Sequence, residues 1–269
     1  MRVLSCFSGI GGLDLGLERA GMTVVAQSEV DAYACRVLAK HWPSVPNLGD
    51  ITKITEADVE RLGPIDLVCG GFPCTDLSVA GKRAGMERGT RSGLFWEMAR
   101  IVRMVRPKIW VMENVPALLD RSEWMGTLLA EVYASGVFRF VEWDCVPAAA
   151  VGAPHRRDRV FIVAHSEGGD GGQQESQRLS SRWATKEPRK RHRRGGSFSH
   201  RWKGEPDVGR VAHGVPARVD RLRGLGNAVV PQVAEHVGRI IMDLAEERRP
   251  EQRQTKAQPE AEATLDARR

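Results

Sequence analysis

A cysteine directly after a proline, at the end of an apolar run, is the first residue here that invites chemistry. "GGFPC" (residues 70–74) closes the strand-like "IDLVCGG" and opens a glycine-studded stretch, "TDLSVAGKRAGMERGTRSG". A packing cysteine belongs inside the run, as Cys69 is. Cys74 instead stands where a strand runs out and a loop begins, the place where a nucleophile is presented. A thiol attacks only as thiolate, so it needs surroundings that lower its pKa. Lys82, Arg83, Arg88 and Arg91 lie just downstream and are cations of the right kind. Glu113 ends a second apolar run, "KIWVMENV". A carboxyl group half-buried there is raised in pKa and able to donate a proton. Taken singly, the two read as a packed thiol and a helix-capping glutamate; together with the loop they read as a nucleophile and an acid.

In "GAPHRRDRVFIVA" (152–164), alternate residues of a strand share a face, so Arg157 and Arg159 are expected to project the same way. Two guanidiniums side by side suit a base carbonyl or phosphates, although an isolated arginine pair more often forms salt bridges. Near the start, "FSGIGGLDLGLERAG" (7–21) places a glycine-rich turn between a strand and a helix, where backbone can approach a ligand closely. Its spacing is not the dinucleotide G-x-G-x-x-G pattern, and a tight turn alone would look the same. Glu29, at the end of the second strand, suits a ribose diol, and equally a helix start. Asp50 with Ile51 suits an adenine amino group and ring, and equally a cap. The run "EPRKRHRRGG" (187–196), flanked by Trp183 and Trp202, interleaves basic residues with aromatics and glycines in the manner of a nucleic-acid-binding insert.

These residues need elements to position them, and the chain supplies an alternation. "RVLSCF", "TVVAQSE", "IDLVCGG", "KIWVMENV" and "RVFIVAH" read as strands. "GLDLGLERAG", "DAYACRVLAKHW" (capped by Asp31), a short segment near 55–62, "LFWEMARIVRMVRP" and "WMGTLLAEVYASG" read as helices. Strands alternating with helices of this length mean βαβ units and a mostly parallel sheet, whose ligands bind beyond the carboxyl ends of the strands. Gly9, Glu29, Asp50, Cys74 and Glu113 all fall at strand ends. From about 166 to 207 the pattern stops: apolar residues are few beyond Leu179, Trp183, Phe198 and Trp202, too few for a core. Order is expected to return with "RVDRLRGLGNAVVPQVAEHVGRIIMDLAEE", read as a loop leading into an amphipathic helix with apolar residues at 229, 233, 237, 240, 241 and 244. The division is thus a catalytic and cofactor-binding part (1–165), a short basic insert (166–212), a return segment with a C-terminal helix (213–247) and a disordered charged tail (248–269).

Charge follows the same division. Residues 1–150 carry 16 Lys and Arg against 18 Asp and Glu, whereas 151–245 carry 18 against 10. A near-neutral body with a basic second part suits a polyanionic partner. The five cysteines are scattered, forming neither a disulfide framework nor a CxxC metal site, so no metal is expected and the thiols are read as free. No apolar run approaches the roughly 18 residues of a membrane span, and glycines interrupt the N-terminus at once. The expectation is a cytoplasmic protein with no membrane partner.

In this order, "FSGIGGLDLGLERAG", Glu29, "GGFPC", "ENV", "GAPHRRDR" and "GNAVVP" resemble the cytosine-C5 DNA methyltransferases, especially compact bacterial and phage-type members, from Phe7 to about Ile241. The resemblance implies an α/β fold of the Rossmann-like S-adenosylmethionine-dependent methyltransferase type, with a small, poorly ordered target-recognition insert. It implies S-adenosylmethionine as cofactor, bound by Phe7, Gly9, Gly11, Leu13, Glu29, Asp50, Ile51, Pro73 and Asn227. It makes Cys74 the nucleophile toward cytosine carbon 6 and Glu113 the group at ring nitrogen 3. Arg159 would take the carbonyl at carbon 2, with Arg157 in support. Double-stranded DNA would be contacted by Ser78, Lys82, Arg83, Arg88, Arg91, Arg189, Lys190, Arg191, Arg193 and Arg194. It further implies a monomer, with a cognate restriction endonuclease as an optional partner. Thr75 and His155 stand where the family often has glutamine. A tRNA cytosine-5 methyltransferase shares the core, but that branch usually reads Pro-Pro-Cys where this chain has Phe72-Pro73-Cys74. A decayed DNA-binding homologue is the non-catalytic alternative, and intact Cys74, Glu113 and Arg159 argue against it.

Overall fold

The computed structural model describes residues 1–73, 93–120, 122–166 and 218–247. Six strands form one sheet: β1 (Arg2–Cys6), β2 (Thr23–Ser28), β3 (Leu67–Gly71), β4 (Ile109–Asn114), β5 (Phe140–Pro147) and β6 (Asp158–His165), in the order β2-β1-β3-β4-β6-β5. β2, β1, β3 and β4 pair in parallel, while β6 runs antiparallel to both β4 and β5. The helices are α1 (Gly12–Arg19), α2 (Ala32–His41), α3 (Glu56–Leu62), α4 (Leu94–Val105), α5 (Ser122–Ala134), α6 (Arg218–Asn227) and α7 (Pro231–Glu247).

The period-two alternation of the strands divides the core between two faces of the sheet. Leu4, Val68, Trp110, Met112 and Ile162 face one side, where Phe95, Met98 and Val102 of α4 and Leu128 and Val132 of α5 cover them. Val3, Leu67, Cys69, Val111, Phe161 and Val163 face the other, against Leu13 and Leu17 of α1 and Val233, Val237 and Ile241 of α7. The apolar stripe expected on the last helix is therefore the stripe that packs back on the sheet. Two sequence readings need correcting. β5 was not anticipated, because "FVEWDCVP" is interrupted by Glu142 and Asp144 and mostly half-buried at the sheet edge. The stretch 218–227, expected to be a loop, is a helix.

Asp31 caps α2 as expected, accepting from Tyr33 N and Ala34 N at 3.0 Å each. Beneath the first βα turn, Asp14 is fully buried and accepts from Ser5 Oγ (2.5 Å) and Gln27 Nε2 (2.6 Å). Burial pushes its pKa up to about 6 against those two bonds, with Glu18 adding to the rise. The folded protein thus holds this proton more tightly than the unfolded chain does. The resulting stability is present below about pH 4 and is lost as pH rises through about 6, amounting to ~3 kcal/mol. Asp14→Asn keeps the shape without the charge. By chemical denaturation its stability relative to wild type should improve by ~2 kcal/mol between pH 4.5 and 7.5. A difference that does not change with pH would mean that Asp14 keeps an ordinary pKa.

Candidate active site

At the carboxyl ends of the parallel strands lies a cavity of about 610 Å³. The βα turn after β1 contributes Phe7, Gly9 and Leu13; the end of β2 contributes Glu29; and the stretch before α3 contributes Asp50 and Ile51. The end of β3 brings Gly71, Phe72 and Pro73, β4 brings Glu113 and Asn114, β6 brings Arg159, and the return segment brings Asn227. Residues from seven places in the sequence thus meet at one opening.

Glu29 is held by backbone: Gly9 N donates to Oε2, and Val30 N and Asp31 N donate to Oε1, each at 2.8 Å. These bonds tie the end of β2 to the glycine turn and fix the carboxylate at the rim. Asp50 accepts at Oδ1 from Thr52 N (3.0 Å) and Thr52 Oγ1 (2.8 Å), bonds that hold its pKa below the usual range. It is therefore the cap that the sequence allowed, and it lines the cavity as well. Ile51 is buried beside it.

Glu113 is 7% exposed, and Arg159 Nε lies 3.0 Å from its Oε1. Burial pushes the carboxyl up to about 7, although Arg159 and, less strongly, Arg157 pull the other way. The carboxyl can thus exist in either protonation state near neutral pH, as a proton donor requires. Its neighbour across the parallel ladder is Gly71. A Cβ on Gly71 would lie 2.5 Å from Glu113 Oε2, and one on Gly70 would strike the Cys6 carbonyl. Close backbone approach thus leaves no room for a side chain at Gly70, and a Cβ at Gly71 fits only if the Glu113 carboxyl moves.

The family model for C-5 cytosine-specific DNA methylases matches residues 1–196. The chain belongs to this family. Among its relatives, the type II methyltransferase M.AquIA of Picosynechococcus is 37% identical over 181 residues, covering 62% of this chain and 73% of that protein. The type II methyltransferase M2.BsuMI of Bacillus subtilis is 38% identical over 173 residues, covering 61% of this chain and 42% of that protein. The chain therefore spans only about two fifths of the Bacillus protein's length. A crystal structure assigned as a DNA modification methyltransferase encoded within an E. coli prophage aligns at TM-score 0.52 with 27% identity, over 62% of this chain and 47% of that one. Spodoptera frugiperda DNMT2, in mutant form, shares the fold at TM-score 0.51 and 20% identity, over 61% of this chain and 50% of its own.

Within this methylase, two expected site residues sit differently. Gly11 is not among the residues lining the cavity: it caps α1 in the left-handed conformation (φ 81°), with Trp42 and Leu38 packed against it. Its part is the turn itself. Arg157 precedes β6 with φ 35°, so strand alternation does not apply to it. Its guanidinium reaches Gly226 and Ala228 rather than sharing the Arg159–Glu113 contact. Cys74, Ser78, Lys82, Arg83, Arg88, Arg91, Arg189, Lys190, Arg191, Arg193 and Arg194 lie outside the described residues, but Pro73, the residue before Cys74, lines the cavity. Among the described residues the four cysteines are free, no cluster could hold a metal ion, and no helix is long and apolar enough to cross a membrane.

The sequence reading missed the outer wall. Asp220, Arg223 and Gly224 of α6 line the cavity beside Asp31 and Tyr33, and Arg223 Nη1 stands 3.6 Å from Asp31 Oδ2. The signal for it was a basic, glycine-containing segment directly before "GNAVVP", too polar to be read as a helix. Gly71→Ala should displace Glu113 and lower activity about tenfold or more, since a positioning error near 1 Å has effects of that size. Activity equal to wild type would show that the Glu113 carboxyl has room to move without consequence.

Proposed function

We propose that this chain transfers a methyl group from S-adenosylmethionine to carbon 5 of cytosine in double-stranded DNA. The observation that carries the reading is a single opening. It holds a buried carboxyl paired with an arginine, a rim carboxylate fixed by three backbone amides, and the residue immediately before Cys74. The lining suits an adenosyl group: Glu29 for ribose hydroxyls, Asp50 for an exocyclic amine, and Phe7, Leu13 and Ile51 as apolar surface, with Pro73 and Asn227 completing the wall. When bound, S-adenosylmethionine supplies a methyl group on a positively charged sulfur.

Carbon 5 of cytosine is a poor nucleophile. Addition of the Cys74 thiolate at carbon 6 breaks the 5,6 double bond and makes carbon 5 an enamine carbon. Glu113 gives a proton or hydrogen bond to ring nitrogen 3, where negative charge would otherwise collect, and Arg159 holds the carbonyl at carbon 2. After methylation, loss of the carbon 5 proton and departure of the Cys74 thiolate restore the ring. The base must leave the stack for this chemistry, at about a few kcal/mol. The cations at 82, 83, 88, 91, 189–191, 193 and 194, with Ser78, are assigned to the DNA. The same reading makes the protein a cytoplasmic monomer, with a cognate restriction endonuclease as the partner against which such a mark would protect.

Purified protein, S-adenosylmethionine and duplex DNA carrying 5-fluorocytosine test this mechanism. Fluorine at carbon 5 cannot leave as a proton, so the final elimination is blocked. A protein–DNA adduct stable to denaturation is expected, and Cys74→Ala should not form it. An adduct that forms equally in that variant would rule out Cys74 as the nucleophile.

A further inference from the structure

The side chain of Arg157 bridges parts of the chain far apart in sequence. Its Nη2 donates to Gly226 O and to Ala228 O, both at 2.6 Å, across 69 and 71 residues. Those two carbonyls flank Asn227, which lines the cavity. Two residues along, Arg159 pairs with Glu113. We infer that Arg157 is a positioning residue: it fastens the backbone on both sides of Asn227 to the start of β6, so that the Asn227 wall and the Arg159–Glu113 pair are held as one unit. What fills the cavity rests on the methyltransferase reading; the tie itself does not.

Three observations support this role. First, α6 has little burial to hold it: from Val219 to Asn227 every residue is exposed except Gly224, which packs near Ile10 and Tyr33. Such a helix needs fixed points, and Arg157 supplies one at its end. Second, the last carbonyls of a helix lack intrahelical partners and carry partial negative charge. Gly226 O is one of these, so a guanidinium there both satisfies it and complements the helix end. Third, Arg157 adopts φ 35°, a conformation that a non-glycine residue keeps only when its surroundings impose it. Burial and the adjacent Arg159 lower its pKa, with Glu113 opposing, which places all three groups in one electrostatic neighbourhood.

A residue that touched only the flipped base would matter only once DNA is present. A tie on Asn227 matters in the protein alone, and the test uses that difference. Amide hydrogen exchange over residues 224–230 and S-adenosylmethionine affinity by calorimetry are measured without DNA, for the full chain and for Arg157→Ala. Exchange over 224–230 should accelerate and the dissociation constant should rise, each by about tenfold or more, the effect of losing a charge-assisted hydrogen bond. Exchange in β4 should stay unchanged, which separates a local release from general unfolding. If the alanine variant fails to fold, Arg157→Gln retains an uncharged NH2 donor group and is expected to shift both quantities in the same direction, by less. Unchanged exchange over 224–230 would overturn the tie. Wild-type protein that does not bind S-adenosylmethionine would sink the methyltransferase reading, while exchange would still decide the role of Arg157.

Discussion

Cys74→Ser is expected to abolish methyl transfer, by on the order of 10⁴-fold or more, as removal of a covalent nucleophile does. The oxygen is similar in size to the sulfur but is not ionised near neutral pH, so it cannot add to carbon 6 at a useful rate. Cofactor affinity should change little, because the cavity wall formed by Phe7, Glu29, Asp50, Ile51 and Asn227 comes from other elements. The check is incorporation of labelled methyl into DNA, together with calorimetry of S-adenosylmethionine on the same preparation. Transfer that persists in the variant would remove the covalent step from the mechanism. Loss of both transfer and cofactor binding would mean that Cys74 builds the cavity rather than attacks the base.

Glu113→Gln should lower single-turnover transfer by about 10²–10⁴-fold, the range for losing a positioned acid. Glutamine has nearly the same shape and can occupy the space beside Gly71, so the loss would belong to the proton and not to packing. The pH profile gives a second readout. Burial sets the Glu113 carboxyl at about 7, so the protonated form dominates below that value and declines above it. Wild-type single-turnover rates should therefore fall on the alkaline side of about pH 7. The variant, having no proton to lose at this position, should show no such limb. An alkaline limb that survives in Glu113→Gln would assign that titration to another group.

The sequence and the structure agree where local pattern governs. Short continuous apolar runs defined five strands, because burial on both faces demands them, and Glu29 and Glu113 stand at the strand ends those runs marked. β5 escaped because an edge strand need not be apolar: Glu142, Trp143 and Asp144 sit together in it without a core-facing pattern. α6 escaped for a different reason. "RVDRLRGLGN" lacks an amphipathic face, and its helix is fixed by contacts from elsewhere: Gly224 on Ile10 and Tyr33, Arg223 at Asp31, and Arg157 at the carbonyls around Asn227. None of these can be read from spacing, since their partners lie across the insert or near the N-terminus. Likewise, "GGFPC" drew attention to the end of β3 through its cysteine, whereas what crowds its second glycine is a carboxyl oxygen on another strand.

Base-resolution methylation sequencing provides the most direct test of the proposed activity. DNA is taken from a host without cytosine methylation that expresses this chain, beside the same host expressing Cys74→Ala. Carbon 5 methylation of cytosines in a recurring sequence, absent with the variant, is the expected result. Soluble, folded wild-type protein that leaves no more methylated cytosine than the variant does would contradict it.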